Sequence, residues 1–136
     1  MSTLKVNTVQ HNTSGFNNVV QFTDGAGTQN GALCRAWINF NGTGTIAIRA
    51  SFNVSSIVDN TTGDYTVNFS NAMPDANYSC IISGNLSGGD DGNGRIGNGL
   101  HSSGTVASGS FRIRCIWAGD GNTLEDKQVL TCAVFR

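Results

Sequence analysis

The residues best able to do acid–base or nucleophilic chemistry are few in this sequence of 136 residues. It has two histidines, and one of them, His101, is followed by Ser102 and Ser103. A histidine and a serine can act as base and nucleophile. However, sequence neighbours rarely reach triad geometry, and the surrounding glycines cannot hold these side chains rigidly. The sequence has no GxSxG, HExxH or Walker A motif. It therefore predicts a protein that is not an enzyme.

Two acidic segments resemble fragments of calcium-binding loops. The first, GGDDGNG, contains Asp90 and Asp91, and the second, GDGNTLED, contains Asp120, Glu125 and Asp126. Neither has the ligand spacing of a calcium loop, whereas Asp-Gly and Asn-Gly are the pairs that tight turns require. We therefore expect turns at both places, with no metal and no cofactor.

The four cysteines form no CxxC pair, which argues against zinc-ribbon and thioredoxin-like sites. They are Cys34, Cys80, Cys115 and Cys132, and each lies in an alternating apolar segment, where a free cysteine acts as a small buried hydrophobe. The N-terminus lacks the apolar core of a signal peptide, and no apolar stretch is long enough to cross a bilayer. We therefore expect a cytosolic protein with reduced core thiols rather than disulfides.

The charge is small and balanced, with a formal net charge of −1. Such a chain has no electrostatic footprint for nucleic acid or for a membrane surface. Arginines occur at four strand positions: Arg35, Arg49, Arg112 and Arg114. A solvated sheet face or ion pairs between subunits explain them better than a nucleic-acid site. Trp37 and Trp117 could stack a sugar or a base, but packing in a core or a subunit interface is the commoner fate.

The elements that would position these residues are strands. Glycine is abundant, with 18 residues, and the strong helix formers are scarce. The alternating segments are LCRAWINF, IAIRASFNVSSIV, YTVNFS, YSCIIS and SFRIRCIW, and QVLTCAVF is apolar on both faces. The second segment is expected to be one strand whose apolar face runs from Ile46 to Val54. The pattern predicts an all-β, antiparallel two-sheet sandwich or jelly-roll-like domain, with QVLTCAVF as a central strand, and leaves the topology open.

Residues 1–32 differ from the sandwich domain predicted over residues 33–136. They have one short alternating run and one later apolar cluster, separated by polar residues, so they cannot bury much surface alone. We predict an N-terminal arm that attaches to a partner or to a second subunit. Its expected contact residues are Leu4, Val6, Val9, Val19, Val20 and Phe22.

A glycine-rich loop is predicted over residues 83–110. So long a loop in a small domain is usually either functional or a tolerated mobile insertion, and this one could also fold as a hairpin or cover a neighbouring subunit. If it is functional, it is the best candidate for a contact surface, because loops on a rigid sandwich often carry recognition. Its expected contact residues are Asp90, Asp91, Arg95 and His101.

The segment from Arg35 to Ser79, RAWINFNGTGTIAIRASFNVSSIVDNTTGDYTVNFSNAMPDANYS, closely resembles a module of tailed-bacteriophage virion structural proteins. Such proteins come particularly from cyanobacterial and marine phages and are often labelled tail fibre proteins. The opening STLKVNTVQ is similar to a leader found in many of them. The resemblance implies a non-enzymatic virion component, commonly trimeric, that is assembled in the bacterial host cytoplasm.

Two roles in a particle agree with these expectations. One is a trimeric capsid decoration (cement) protein, which binds the major capsid protein through residues 1–32 and stabilises the shell. The other is a short tail fibre or its receptor-binding head, which joins tail proteins and contacts host surface glycans. One domain plus one arm leaves no room for a fibre shaft, so length favours decoration.

Overall fold

The computed structural model describes residues 20–85, 96–102, 106–117 and 123–136. The chain divides into two compact units, Met1–Ala32 and Leu33–Arg136. The strands are β1 (Val20–Asp24), β2 (Gly27–Gly31), β3 (Cys34–Asn41), β4 (Ala47–Phe52), β5 (Val54–Thr61), β6 (Asp64–Phe69), β7 (Ser79–Gly84), β8 (Ile96–Leu100), β9 (Val106–Ala107), β10 (Ser110–Trp117), β11 (Thr123–Leu124) and β12 (Leu130–Phe135). These described ranges contain no helix, and hence none with the length and apolar character to span a bilayer.

In the first unit, β1 and β2 form an antiparallel hairpin. Asp24 pairs with Gly27, so the turn consists of Gly25 and Ala26 alone. A two-residue turn of this kind is the commonest connection in hairpins. A two-stranded hairpin is at best marginally stable by itself in water. The described part of the predicted arm is therefore a single hairpin.

The second unit is a sandwich of two antiparallel sheets, which confirms the predicted fold class. The four-stranded sheet has the order β4-β3-β12-β7, so the predicted central position of the last strand, β12, is confirmed. The six-stranded sheet has the order β11-β10-β6-β5, and β8 and β9 also pair with β10. Ile113 of β10 is paired with both Tyr65 of β6 and Leu100 of β8, so β6 and β8 lie on opposite sides of β10.

The core lies between the two sheets and follows the predicted alternation. The four-stranded sheet contributes Ala36, Ile38, Phe40, Leu130, Cys132 and Val134, and the six-stranded sheet contributes Tyr65, Val67, Phe69, Phe111, Ile113 and Cys115. The rings of Phe40 and Tyr65, one from each sheet, meet edge to face with centroids 5.3 Å apart. Such contacts between aromatic side chains of facing sheets join the two layers.

One predicted strand is in fact two. Asn53 has a φ of 55°, a left-handed conformation that asparagine tolerates better than most residues. Its Nδ2 donates to the carbonyl oxygens of Arg35 and Asn71, each at 3.0 Å, and its Oδ1 accepts from the Asn71 amide at 2.7 Å. This bend sends the chain from β4 in one sheet to β5 in the other. The apolar face predicted through Phe52 is therefore interrupted, and Phe52 is exposed.

The glycine-rich loop predicted over residues 83–110 is shorter than expected. Within it, residues 96–100 form β8 and residues 106–107 form β9, and both strands pair with β10. Strands pair through backbone hydrogen bonds, which glycine can also form. Glycines in a strand therefore remove the alternating apolar pattern from the sequence without preventing the strand from pairing. The end of the predicted loop does form a hairpin, because β9 and β10 are joined by a tight turn at Ser108 and Gly109.

Candidate functional site

The outer face of the four-stranded sheet carries a line of apolar side chains that crosses all four strands. In the strand pairing, Phe52 of β4 lies opposite Trp37 of β3. Trp37 lies opposite Ala133 of β12, which in turn lies opposite Ile81 of β7. These side chains point away from the core because successive residues of a strand alternate between the two faces. We call these four residues the apolar row.

Three members of the apolar row are large and exposed: Trp37 is 40% exposed, Phe52 55% and Ile81 60%. The neighbouring line on the same face, joined by the same pairings, is Ala50, Asn39, Thr131 and Ser83. None of the eight side chains carries a charge. Two arginines lie beside these lines: Arg35 precedes Trp37 by two residues on the same face, and Arg49 Nη1 donates to Asn39 Oδ1 at 3.4 Å. An uncharged patch with large exposed apolar groups and charges at its margin is typical of a contact with another protein. The exposure of Trp37 excludes a position in the core, whereas a subunit interface and stacking on a sugar or a base stay open.

The outer face of the six-stranded sheet is charged, in contrast. Asp64 of β6 is paired with Arg114 of β10, and the Asp64 carboxylate is buried by the side chains around it. Arg112 donates Nε to Oδ1 and Nη2 to Oδ2, the latter at 2.9 Å. Arg114 Nε also donates to Oδ2 at 2.9 Å, and Asn60 Nδ2 donates to Oδ1 at 3.2 Å. One carboxylate thus holds two guanidinium groups.

The ionisation of Asp64 follows from these contacts. Burial by itself raises the pKa of Asp64, but the hydrogen bonds from Arg112, Arg114 and Asn60 outweigh it and lower the pKa to about 2. The carboxylate is therefore charged at neutral pH. Its chemical role is that of a fixed anion, because a group with so low a pKa is a poor proton donor or acceptor there.

The structure places His101 directly after the end of β8, against the six-stranded sheet, and its predicted role as a contact residue stays a prediction. Its backbone amide donates to the Arg112 carbonyl oxygen at 2.9 Å, which extends the pairing along β10 by one residue. The ring then lies against the sheet, with Nε2 3.6 Å from Asp64 Oδ2 and only 7% of the side chain exposed. His101 therefore belongs to the Asp64 cluster and presents little surface to a partner.

A second polar cluster is buried between the sheets near the start of β12. The hydroxyl of Tyr65 lies 2.5 Å from Asp126 Oδ1 and 3.0 Å from the carbonyl oxygen of Gly42. The ammonium of Lys127 is buried and donates to Glu125 Oε2 at 2.6 Å. Burial, with the hydrogen bond to Asp126, raises the pKa of Tyr65 above its usual value. Tyr65 and Lys127 are enclosed, and the hydrogen bonds of this cluster hold the segment before β12 in place.

An open groove of about 510 Å³ lies where β4 bends into β5. Leu33 and Phe52 give it apolar walls, and Arg35 and Asn71 add polar groups. The side chain of Asn53, hydrogen-bonded to the backbone on both sides, fixes its shape. A rigid groove with an aromatic ring beside a guanidinium and an amide has the donors and the flat apolar surface to hold a small polar ligand.

The cysteines have different environments. Cys115 and Cys132 are buried as predicted, and burial raises the pKa of Cys115 to about 12, so its thiol is unreactive at neutral pH. Cys34 is exposed, which contradicts the expectation of a core position. It is the first residue of β3 and pairs with Phe135, the last residue of β12.

The remaining predicted site residues are placed as follows. The four arginines of the strands are divided between the two sheets. Arg35 and Arg49 lie on the four-stranded sheet, and Arg112 and Arg114 lie on the six-stranded sheet. Val20 and Phe22 are on β1, but their side chains and that of Trp117 lie outside the description. Seven predicted contacts lie outside the described residues: Leu4, Val6, Val9, Val19, Asp90, Asp91 and Arg95.

Across residues 20–85, 96–102, 106–117 and 123–136, no group of three or more His, Cys, Asp or Glu side chains could hold a metal ion. Comparison of the chain with protein-family models, curated proteins and solved structures finds no match.

Proposed function

We propose that this chain is a non-enzymatic structural protein of a bacteriophage particle, a homotrimer that decorates the capsid and stabilises its outer shell. The observation that carries the proposal is the apolar row, with the uncharged line beside it, across the outer face of the four-stranded sheet. The resemblance of Arg35–Ser79 to modules of phage virion proteins supports a phage particle as the assembly to which the chain belongs. Assembly takes place in the bacterial host cytoplasm, and the mature location is the virion.

The apolar row is proposed to be the contact between subunits. Permanent interfaces are apolar and depleted in charge at their centres, as are the apolar row and its neighbouring line. The other outer face holds Asp64, Arg112 and Arg114, whose charged groups are better suited to solvent. A trimer built through the four-stranded sheets would cover Trp37 and Ile81 and leave the charged face exposed.

Residues 1–32 are proposed to attach the trimer to the major capsid protein. Within the part of the chain that the structure describes, β1 and β2 form a sheet of two strands, so both are edge strands of that sheet. Strand addition to such an edge is a common way to join two proteins, because the main-chain hydrogen bonds supply the affinity. Every described residue of the core cluster lies beyond Leu33.

Deletion of residues 1–32 is expected to leave a folded trimer that no longer binds particles. The residues that remain, Leu33–Arg136, contain both sheets and the whole described core. Cosedimentation with capsids that lack the protein measures the binding, and sedimentation velocity measures the trimer. The full chain is the control. Normal incorporation of the truncated chain would contradict the anchor.

A short tail fibre, or a receptor-binding head that contacts host surface glycans, is the second candidate. The groove at the bend between β4 and β5 favours it, because Phe52 offers a ring for stacking and Arg35 and Asn71 offer hydrogen-bond donors. The two candidates differ in how many copies a particle holds. A decoration protein follows the symmetry of the shell, and a fibre follows that of the tail.

A further inference from the structure

We propose that Arg112 and Arg114, held by Asp64, form a binding site for an oxyanion group, a carboxylate or a phosphate, on the outer face of the six-stranded sheet. The site is independent of the proposed subunit contact, which lies on the other sheet. It is also independent of whether the protein decorates a capsid or belongs to a tail.

The first argument is the fixed position of the two guanidinium groups. Arg112 and Arg114 are two residues apart on β10, so both point to the same face with their Cα atoms about 7 Å apart. The Nε atom of each donates to the carboxylate of Asp64. A guanidinium that is hydrogen-bonded through Nε has a fixed orientation before any ligand arrives, so the side chain loses less conformational entropy when the ligand binds.

The second argument is the balance of charge. Asp64 carries one negative charge and pairs with two arginines, so a positive charge remains on the cluster. In the described ranges, no other carboxylate forms an ion pair with Arg112 or Arg114. The nearby Asn60 is neutral.

The pair of Arg136 and Asp75 provides an internal comparison. Arg136 also binds its carboxylate through two nitrogens, Nε at 3.1 Å and Nη2 at 2.6 Å. Here one arginine meets one aspartate, so the charges cancel. The difference between the two clusters is therefore the second arginine, and this difference predicts anion binding at Asp64 and none at Asp75.

The third argument is access. The side chains of Arg112 and Arg114 are 29% and 41% exposed, although the carboxylate between them is buried. Within the described structure, the bonds of Arg114 to Asp64 use its Nε, and those of Arg112 use its Nε and Nη2. The other guanidinium nitrogens can donate to the oxygens of a ligand. Guanidinium forks match carboxylate and phosphate oxygens in geometry as well as in charge.

The test is an NMR titration of the full chain at constant ionic strength, with sodium phosphate and, in a second arm, an oligogalacturonate replacing chloride. The Nε–H groups of Arg112 and Arg114 report directly, since each is held in a hydrogen bond to Asp64. We expect saturable shifts of both signals, with a dissociation constant for phosphate on the order of 1 mM. Tighter binding of the oligogalacturonate would assign the site to an acidic polymer, and tighter binding of phosphate would assign it to the free ion.

Substitutions separate this site from general attraction of anions. Arg114→Gln is expected to weaken phosphate binding about tenfold through the loss of charge-assisted hydrogen bonds, and Arg114→Lys by less, since the charge stays. Arg136→Gln is the matched control and should bind as the unaltered chain does. Unchanged near-UV circular dichroism establishes that each variant is folded. Shifts that rise linearly without saturation, or equal binding by Arg114→Gln, would overturn the proposal.

Discussion

Replacing both Trp37 and Ile81 with glutamate is expected to convert the proposed trimer into folded monomers. Both side chains lie in the apolar row, at 40% and 60% exposure, and point away from the core. In a monomer the new carboxylates would be solvated at little cost. At the centre of a subunit contact they would be buried without partners and close to their copies in the other subunits. We expect the dissociation constant of the trimer to rise by at least about 1,000-fold.

Sedimentation velocity over a range of protein concentrations measures this change. Val58→Glu is the matched control, because Val58 is also a large exposed apolar residue but lies on β5 in the other sheet. That variant should remain a trimer. A double variant of Trp37 and Ile81 that stays trimeric, with the expected fold by circular dichroism, would exclude the apolar row as the subunit contact.

Gly63→Ala is expected to destabilise the sandwich by about 4 kcal/mol or more. Gly63 lies in the turn between β5 and β6 and has a φ of 65°, which is costly for any residue with a Cβ. A Cβ placed there would lie 2.6 Å from both the Cys115 carbonyl oxygen and the Glu125 amide nitrogen. Both are backbone atoms and cannot rotate away. The amide of Gly63 also donates to Asp126 Oδ1 at 2.7 Å, so a shift would disturb the buried polar cluster.

Substitutions at two other glycines separate the two causes of this loss of stability, the positive φ and the close approach of backbone atoms to the added Cβ. Gly44 has a φ of 62° but no atom within 4 Å of a Cβ, so Gly44→Ala isolates the conformational cost, about 1 kcal/mol. Gly109 has open space around its Cβ and no positive φ, so Gly109→Ala should be nearly neutral. Urea unfolding of the three variants gives the free energies. A loss for Gly63→Ala no larger than that for Gly44→Ala would contradict the close approach described for this turn.

The fold could be predicted from the sequence wherever alternation was regular. Ile38 and Phe40 on β3, and Phe111 and Ile113 on β10, were assigned to one face of their strands and are buried. The pattern failed at Asn53, where a single left-handed residue bends the chain between sheets while the apolar spacing continues. Hydrophobic periodicity records which residues are apolar and not where the backbone changes direction, so Phe52 was expected to continue a buried face.

The two surface sites could be predicted only in part, because they depend on which strands are neighbours. Ile81 stands out in YSCIIS as an apolar residue on the polar face of its strand, but its alignment with Trp37 requires the order of β3, β12 and β7. Asp64 is the first residue of β6 and directly follows Gly63 of the turn. Its contacts with Arg112 and Arg114 join residues about fifty positions apart, a separation that no local pattern indicates.

The most direct test of the proposed role is the number of copies of this protein in purified virions, measured by gel densitometry against the major capsid protein. The proposal predicts an abundance comparable to that of the capsid subunit, because a decoration trimer follows the lattice of the shell. A number far below it, matching the symmetry of a tail, would contradict decoration and favour the fibre. Absence from the particle would contradict both.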